Sequence, residues 1–516
     1  MSTRDGANRS LWQQQPAFEP ANKSSSDRAY EVIIVGGGIT GISTALSLQR
    51  AGKKCLVLEA AQLGYGTTGG TTAHLNTLLD TPYSTIIKNF NEDTARHVAS
   101  AASEAIAFIQ QNMTSYHIDC GFEPADAWLM AQDKKQQEEL QEIAVATRKA
   151  GLMMETGLTA PFNVPHIEAA RISGQAKFHP LKYTFGLAAA FENLGGVIQL
   201  EERVLEVKEK SPLSVITNRN EYSTTDLIYA THIPPGVNWL HLRSSPWRSY
   251  AMAFTLADNN YPADLFYDMQ DPYHYYRSQE VDGQTYLIAG GYDHPTGVEL
   301  NTNNPVRELE AHARHLFPVD QVVAKWSSQY YEPADGLPYI GLLPGHGQHI
   351  YVATGFGGNG MTYSSVAALV LTDLILVNDH PYRKVFDPFR VKPIAGFKNF
   401  LQQNVGVVKE LVKRLLPADK IPELVALAPG EAGIVNFEGD AVAMYKDESG
   451  EVHAVSHVCT HLKCGVQWNA TELSWDCPCH GARYSVDGRV LNGPADKDLE
   501  AIPVAPGKST SPNETT

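Results

Sequence analysis

The sequence predicts a large α/β domain interleaved with an α+β region, followed by a small all-β domain. From residue 31 to about residue 390, short β-branched runs such as residues 32–35 alternate with longer segments whose apolar residues have helical spacing. Beyond Pro429 the apolar runs are short and are separated by turn residues, which is typical of antiparallel strands. A chain of 516 residues is too long for one hydrophobic core. We therefore expect two or three domains.

Composition and charge exclude several classes of protein. The chain has 57 acidic and 41 basic residues, a formal net charge of -16, which opposes binding to nucleic acid or to an anionic lipid surface. Its first residues are polar and lack the basic start and apolar run of a signal peptide. The longest apolar stretch, residues 366–377, contains Asp373 and is shorter than the roughly 20 residues that cross a bilayer. We expect a cytoplasmic protein with no transmembrane segment and no nucleic-acid partner.

The pattern divides the chain into five segments. They are an N-terminal arm at 1–30, the main domain at 31–390, a linker at 391–427, the all-β domain at 428–506 and a tail at 507–516. The arm lacks periodic apolar positions and is expected to be mobile or to lie across the surface. The linker contains a predicted amphipathic helix, for which packing against the protein is favoured over contact with a membrane surface.

Two short boxes near the end of the chain concentrate metal-binding residue types. Four of the six cysteines lie in CTHLKC at residues 459–464 and CPCHGARY at residues 477–484. Each box supplies thiolate and imidazole donors, which suit zinc as well as iron–sulfur centres. Neither box has the paired C-x-x-C spacing that is usual for structural zinc. An iron–sulfur centre is therefore favoured over zinc.

These boxes resemble those of the Rieske family, and in particular the form found in cytochrome bc-type complexes. The resemblance covers roughly 80 residues, 428–506, and implies a [2Fe-2S] cluster in which two thiolates hold one iron and two imidazoles hold the other. The implied ligands are Cys459, His461, Cys477 and His480. The resemblance also implies a disulfide between Cys464 and Cys479, although cytosolic disulfides are rare.

One residue departs from the pattern of high-potential Rieske proteins. In those proteins a serine follows the His-Gly pair and donates a hydrogen bond to a cluster sulfur. Here Ala482 takes that place, while the tyrosine two positions later is kept as Tyr484. Because hydrogen bonds to sulfur raise the potential, we expect a lower potential within the Rieske range.

The main domain begins with a dinucleotide-binding fingerprint, which predicts a Rossmann-like fold. A strand at residues 32–35 runs into a glycine-rich turn and a helical segment, and a second strand ends at Glu59. In this fingerprint the first glycine, Gly36, permits the tight turn, Gly38 lets the pyrophosphate approach, and Gly41 lets the helix pack on the strand. Glu59 is placed to accept hydrogen bonds from ribose hydroxyls. Strand, helix and acidic residue together make nucleotide binding a specific prediction.

Further motifs resemble the D-amino-acid oxidase family of flavoproteins over about residues 30–390. A glycine- and threonine-rich loop follows Glu59, an adenine-contacting valine follows Arg203, and two glycine-rich motifs lie near the end of the domain. The resemblance implies that the cofactor is FAD. The FAD-contacting residues that it implies are Gly66, Thr67, Thr68, Val204, Gly336, Gly357, Gly358, Asn359, Gly360 and Met361.

The family resemblance implies oxidation of a carbon–nitrogen bond in a small amine or amino acid. His74 follows the flavin loop and is the first candidate catalytic residue. Tyr276 and Arg277 lie in an apparent strand of the substrate region, where relatives hold a carboxylate with tyrosine and arginine; Tyr275 adjoins them. Arg248 and Tyr250 are weaker candidates.

The combination of cofactors predicts an order of electron transfer. A flavin accepts two electrons from the substrate, and the cluster passes them singly to an acceptor protein or a quinone. Two other readings stay open at this point. One is an electron-transfer protein without its own small-molecule substrate, and the other is a reductase in which electrons flow from cluster to flavin.

Overall fold

A computed structural model of the chain describes residues 6–21, 27–377, 379–390, 427–437 and 439–503. The linker helix predicted within residues 391–427, the tail at 507–516 and the first five residues lie outside the described residues. Among the helices that the structure describes, none combines the length and apolar character that a bilayer crossing requires.

The main domain contains seventeen strands within the described residues. In chain order they are β1 Ala29–Val35, β2 Cys55–Leu58, β3 His74–Leu75, β4 Glu123–Ala131, β5 Met154–Leu158, β6 Glu168–Lys177, β7 Val197–Gln199, β8 Val204–Lys208, β9 Leu213–Thr217, β10 Glu221–Tyr229, β11 Ser244–Leu256, β12 Leu265–Asp268, β13 His274–Val281, β14 Gln284–Pro295, β15 Val319–Pro333, β16 Tyr339–Leu342 and β17 Ile350–Thr354.

Helices cover these strands. They are α1 Ile39–Arg50, α2 Thr67–Gly70, α3 Tyr83–Asn89, α4 Glu92–Tyr116, α5 Lys134–Lys149, α6 Pro180–Asn193, α7 Asn303–Leu316, α8 Gly360–Leu376 and α9 Arg383–Phe386, with short 3₁₀ helices at Leu11–Gln14 and Trp239–Arg243. The longer segments with helical spacing that the sequence predicts between the strands include α4 and α5.

The nucleotide-binding sheet has the order β16-β17-β10-β1-β2-β7, and its central strands run parallel. Residues 32–34 of β1 are fully buried, because α1 and α8 cover one face of the sheet and a second apolar layer covers the other. Burial on both faces explains why β1 is a continuous apolar run rather than an alternating one. This arrangement is the predicted Rossmann-like core.

A second, larger sheet forms the interleaved α+β region. Its order is β15-β11-β14-β13-β12-β4-β6-β3, and most of its neighbouring strands are antiparallel. Aromatic side chains fill the layer between this sheet and α7, with Phe162 stacked on Phe266 at a centroid distance of 4.2 Å. The sheet places the ends of β13, β14 and β15 beside the carboxyl edge of β1, where a nucleotide site is expected.

The C-terminal domain consists of two small antiparallel sheets, as predicted. The first contains β18 Ala432–Phe437, β19 Asp440–Lys446 and β20 Val452–Ser456; the second contains β21 Gln467–Asn469, β22 Ser474–Asp476, β23 Arg483–Ser485 and β24 Val490–Asn492. One cysteine–histidine box connects β20 with β21, and the other connects β22 with β23. The two boxes therefore lie on adjacent loops.

Residues 10–12 of the N-terminal arm are buried in the fold, whereas the sequence predicted an arm that is mobile or lies across the surface. Trp12 is fully buried, donates from Nε1 to the carbonyl of Thr71 at 2.6 Å, and packs edge-on against His179. The amide of Ala7 donates to the carbonyl of Glu472 at 3.1 Å. The arm thus contacts both domains.

We expect Trp12→Ala to lower the free energy of unfolding by about 3–5 kcal/mol, because it leaves a cavity and an unpaired carbonyl. The matched control is Trp239→Ala, whose side chain is 59% exposed and whose loss should cost about 0.5 kcal/mol or less. Urea denaturation followed by flavin fluorescence measures both variants. Equal stability of the two variants would contradict an integral arm.

Candidate functional site

A long cleft runs along the carboxyl edge of β1, between the two sheets. It contains about 2230 Å³ of space not filled by protein, open solvent at its mouth included. Residues from the ends of β1 and β2, from the loop before α2 and from the start of α8 line one side, and residues of β13, β14 and β15 line the other. Residues 490–493, 495 and 496 of the C-terminal domain close its end. The cleft thus brings the nucleotide fingerprint and residues of the substrate region to one site.

The glycines of the fingerprint meet different neighbours. Gly36 has a φ of +113°, and a Cβ there would lie 2.5 Å from the carbonyl oxygen of Ala230. A Cβ on Gly41 would lie 2.0 Å from the carbonyl oxygen of Gly36, so α1 packs on β1 only without it. A Cβ on Gly38 would contact Thr68 Oγ1 at 3.0 Å and otherwise extend into the cleft. The space at Gly38 fits the approach of a pyrophosphate.

Glu59 lies in the cleft at the end of β2. Its carboxylate accepts hydrogen bonds from the amides of Gly37 at 2.7 Å and Ala61 at 2.8 Å. Burial raises the pKa of Glu59, while these amides lower it. The side chain is thereby fixed at the position from which the fingerprint predicts contact with a ribose.

Most of the remaining predicted FAD contacts line the same cleft. They are Gly66, Thr67, Thr68, Val204, Gly357, Gly358, Asn359, Gly360 and Met361. Thr68 Oγ1 accepts a hydrogen bond from the amide of Ile39 at 3.1 Å, which ties the loop to the first turn of α1. Gly336 lies elsewhere: it lines a smaller adjoining cavity, where a Cβ would meet Thr81.

His74 lies in the cleft, as expected of a residue that follows the flavin loop. Its Nδ1 pairs with the hydroxyl of Thr72 at 3.1 Å, and its Nε2 has no hydrogen-bond partner among the described residues. The rings of Tyr267 and Tyr275 lie at centroid distances of 5.4 and 5.5 Å. Burial, followed by the charge of Arg277, holds the pKa of His74 well below its ordinary value, so the imidazole is neutral.

The expectation that Tyr276 contacts the substrate is not supported by its position. Tyr276 is fully buried in the aromatic layer beneath the sheet, with its hydroxyl 2.5 Å from His312 Nε2. Successive residues of a strand point to opposite faces, so its neighbour Tyr275 faces the cleft instead. Alternation along β13 implies that Tyr275 and Tyr276 point to opposite faces of the sheet. The sequence alone does not show which of these faces lines the cleft.

Arg277 is likewise not in the cleft lining, which corrects its predicted role as a carboxylate-binding residue. Its guanidinium is fully buried and donates to the backbone carbonyls of Thr72, Ala73 and Phe178 and to the side chain of Gln279. With its donors used in this way, Arg277 supports the loop that carries His74. Arg248 is also buried away from the cleft, where Nη1 donates to Ser327 Oγ at 2.7 Å.

Sequence reasoning missed several residues of the cleft. Tyr273, Tyr330, Asp80 and Asp293 face its wide end, and the hydroxyl of Tyr330 donates to Asp293 Oδ2 at 2.9 Å. Asp80 precedes α3, and Asp293 lies near the end of β14. They belong to no motif, and only the tertiary fold brings them together.

The four predicted cluster ligands meet in the C-terminal domain. Cys459 and Cys477 are buried free cysteines, and the rings of His461 and His480 lie 5.0 Å apart between centroids. His461 Nε2 and both ring nitrogens of His480 are buried without a hydrogen-bond partner among the described residues. Buried, unpartnered imidazole nitrogens beside two thiols fit the donor set of a Rieske cluster.

Cys464 and Cys479 form a disulfide between the two ligand loops, with their Cα atoms 6.5 Å apart. This is the pairing that the family resemblance implied. It leaves Cys459 and Cys477 as the free cysteines of this domain within the described residues. Cys464 and Cys479 are therefore structural cysteines, and Cys459 and Cys477 are the cysteines available as cluster ligands.

Tyr484 and Ala482 occupy the positions expected from the Rieske pattern. The hydroxyl of Tyr484 lies 3.1 Å from Cys459 Sγ and accepts a hydrogen bond from the amide of Thr460 at 3.2 Å. Ala482 is fully buried in the same core and offers no hydrogen-bond donor from its side chain. One of the two expected donors to sulfur is thus present and the other absent.

The flavoprotein domain covers the histidine face of the cluster site. The ring of His241, from the 3₁₀ helix Trp239–Arg243, lies 4.8 Å from that of His461 and 6.2 Å from that of His480. His241 donates from Nε2 to the carbonyl of Pro234 at 2.9 Å, and burial lowers its pKa to about 3. The imidazoles therefore pack against His241 of the main domain, with His480 buried and His461 partly exposed.

Tyr331 and Gln329 of β15 dock the second ligand loop onto the cleft. Gln329 Nε2 donates to the carbonyl of Gly481 at 2.8 Å, and the hydroxyl of Tyr331 lies 3.3 Å from the carbonyl of His480. On its other side Tyr331 packs edge-on against His232 at 4.7 Å, and both His232 and Gln329 line the cleft. The two candidate sites are therefore separated by a few buried side chains.

A nucleotide fingerprint opening onto a cleft, beside a paired cysteine and histidine centre, defines an iron–sulfur flavoprotein. Residues 31–374 match the family described as FAD dependent oxidoreductase, and residues 420–503 match the Rieske [2Fe-2S] domain. The chain belongs to the FAD dependent oxidoreductase family and carries a C-terminal Rieske domain. It is a flavoenzyme whose cofactors are FAD and a [2Fe-2S] cluster, which confirms both resemblances seen in the sequence.

Relatives share one or both of these domains. YhfW of Bacillus subtilis, named as a Rieske 2Fe-2S iron-sulfur protein, is 32% identical over 92% of this chain and 94% of its own. Gamma-glutamylputrescine oxidoreductase of Escherichia coli is 25% identical over 69% of this chain and 86% of its own. The crystal structure of glycine oxidase from Geobacillus kaustophilus superposes with a TM-score of 0.59 at 18% identity, covering 70% of this chain and 99% of its own, and shows the common fold.

We expect Ala482→Ser to raise the midpoint potential of the cluster, because a hydroxyl there adds a hydrogen bond to a cluster sulfur and stabilises the reduced state. Tyr484→Phe removes the hydroxyl near Cys459 Sγ and is expected to lower the potential. A redox titration monitored by electron paramagnetic resonance measures both. A shift of zero or below for Ala482→Ser would refute the expectation.

Proposed function

We propose that this enzyme oxidises the carbon–nitrogen bond of a small amine or amino acid and delivers the electrons singly, through FAD and the [2Fe-2S] cluster, to an external acceptor. Gamma-glutamylputrescine oxidoreductase and glycine oxidase, two relatives with the same main domain, are named for an amine and an amino acid. When bound, the flavin supplies a two-electron acceptor and the cluster a one-electron relay. The substrate class thus comes from relatives and the electron route from the combination of domains.

The proposed reaction balances with two co-reactants, the external one-electron acceptor and water. The substrate carbon loses a hydride and its nitrogen loses a proton, so the carbon–nitrogen single bond becomes a double bond. The two electrons leave in two one-electron transfers to two acceptor molecules. Water then hydrolyses the imine.

The observation that carries the proposal is the closure of the flavin cleft by the Rieske domain. Leu491 and Asn492 line the same cleft as the fingerprint glycines, and Tyr331 contacts the second ligand loop directly. A domain docked in this way needs no large movement to exchange electrons with the cleft. This contact favours an internal relay over two independent activities on one chain.

Particular residues have proposed roles in this scheme. Glu59 and the fingerprint glycines would hold the nucleotide, and Cys459, His461, Cys477 and His480 would hold the cluster. His74 is a neutral imidazole in the cleft whose Nε2 has no protein partner among the described residues, and we assign it to orienting the substrate amine. Tyr275, whose hydroxyl pairs with Ser249 at 2.9 Å, replaces Tyr276 as the tyrosine that faces the substrate.

The acceptor is proposed to bind beside the first ligand loop. His241 covers the imidazoles, whereas Leu462 and Lys463, which lie between His461 and the disulfide cysteine Cys464, are exposed. An acceptor protein or a quinone reaches the cluster most directly there.

Anaerobic mixing with an amine tests the electron route. We expect the flavin absorbance to bleach first and the reduced Rieske signal to appear afterwards, because the flavin receives the hydride. In His461→Gln, which lacks one candidate ligand, bleaching should persist while reduction of an added one-electron acceptor falls to background. The matched control is His453→Gln in the same domain, where the imidazole pairs with Asp487 on the surface.

The alternatives predict different results. If no compound in a broad set of amines and amino acids bleaches the flavin, the result would favour an electron-transfer protein without its own substrate. A flavin potential above that of the cluster, with reduction of the flavin by pre-reduced cluster, would favour reversed flow. Acceptor reduction by His461→Gln at the wild-type rate would exclude the cluster from the route.

A further inference from the structure

The wide end of the cleft continues into a second cavity, and together they form what we name the acidic chamber. The cleft and this cavity share Asp80, Tyr273, Asp293, Tyr330 and Phe356 in their linings. The second cavity contains about 830 Å³ of space not filled by protein, open solvent included, and also carries Asp271 and Glu332. The chamber therefore lies beside the flavin motif that precedes α8, residues 355–359, and has carboxylates along its length.

The partners of Asp80 and Asp293 among the described residues are hydroxyl and amide groups: Asn359 and the backbone of Gly358 for Asp80, and Ser249, Tyr273 and Tyr330 for Asp293. Asp293 accepts from Tyr330 at 2.9 Å through Oδ2, while its Oδ1 is buried without a hydrogen-bond partner among the described residues. Asp80 Oδ1 accepts from Asn359 Nδ2 at 3.3 Å. Burial raises the pKa of Asp293 to about 7, and the proximity of Asp80 adds to this effect. A buried carboxylate oxygen without a donor is a costly arrangement that a cationic ligand relieves.

Within the part of the chain that the structure describes, no lysine or arginine lines the chamber beside these carboxylates. Among the described residues that line the cleft and the second cavity, the single lysine or arginine is Arg203. It lies beside Glu202 and Val204, and its guanidinium donates to the carbonyl of Val490 at 3.1 Å. The chamber lacks the arginine that would pair with a substrate carboxylate.

Aromatic rings form the remaining wall of the chamber. The ring centroids of Tyr273 and Tyr275 lie 5.7 Å apart, and those of Tyr275 and His74 lie 5.5 Å apart. Tyrosine faces attract alkylammonium groups and also cover the methylene chain between two such groups. A wall of this kind beside carboxylates suits a flexible cation better than an anion.

We propose that the substrate is a diamine or polyamine, which presents one amino group to the flavin site and holds a second, cationic group between Asp80 and Asp293. This inference rests on the proposed function and narrows its substrate class. A carboxylate at the far end of the substrate would meet two acidic side chains and no cation, so amino acids are disfavoured by charge repulsion. An alkylamine with one amino group would fit but would leave Asp293 Oδ1 without a partner.

Three compounds of equal chain length separate these possibilities in the holoenzyme. Cadaverine carries a second ammonium group, pentylamine carries a methyl group in its place, and δ-aminovalerate carries a carboxylate. We expect cadaverine to reduce the flavin anaerobically with an apparent dissociation constant at least about tenfold lower than that of pentylamine, and δ-aminovalerate to be the poorest substrate. The concentration dependence of the bleaching rate separates binding from the limiting rate.

Two variants test whether the second ammonium group of the substrate binds between Asp80 and Asp293. Asp293→Asn and Asp80→Asn should each raise the apparent dissociation constant for cadaverine by about tenfold while changing that for pentylamine little. The matched control is Glu138→Gln on the exposed surface of α5, which changes the net charge equally and should alter neither value. The flavin spectrum of each variant reports whether the cleft is intact.

The outcomes are distinct. If none of the three compounds bleaches the flavin and the amine panel is also silent, both the proposed function and this inference fail. If pentylamine or δ-aminovalerate equals cadaverine, the proposed function stands and the second cation site is excluded. The comparison of the three compounds uses the wild-type enzyme, so it tests the second cation site even where an Asn variant loses its flavin.

Discussion

The close approach of Gly481 to the flavoprotein domain is the constraint on which the two-domain arrangement depends. Gly481 has a φ of +75°, and a Cβ there would lie 2.6 Å from Pro246 and 2.8 Å from Gln329 Nε2. Without a side chain, the ligand loop approaches β15 closely enough for its carbonyl to accept from Gln329. The covered histidines and the closed end of the cleft both follow from this docking.

Buried charges fix the orientation of the same interface. Asp476 of the Rieske domain accepts from Arg483 Nε at 3.1 Å and faces Arg248 of β11 at 3.8 Å, and all three side chains are almost fully buried. Burial alone would raise the pKa of Asp476, but the two arginines outweigh it and hold the pKa below its ordinary value. Buried pairs of this kind add little net stability, yet removal of one member is costly because it leaves an unpaired charge. They therefore oppose any alternative docking of the domain.

Local patterns in the sequence were sufficient for the elements and for the cofactors. The β1 strand, its glycine turn and Glu59 are contiguous, and the two cysteine–histidine boxes carry their own spacing. What the patterns did not supply was the inward face of β13, so Tyr276 was assigned in place of Tyr275. Arg277 was misassigned because its partners, the carbonyls of Thr72 and Ala73, lie about two hundred residues earlier in the chain. A tertiary contact of that span leaves no local signal.

The arm at the beginning of the chain has a consequence for the order of assembly. Ala7 and Asn8 bond to the carbonyls of Glu472 and Thr471, residues that the ribosome adds more than four hundred residues later. Their hydrogen bonds form only after translation has passed the first cluster-ligand loop, although Trp12 can already pack against the earlier domain. The contacts of Ala7 and Asn8 are thus completed only after the C-terminal domain has been synthesised, and they then hold that domain against the main domain.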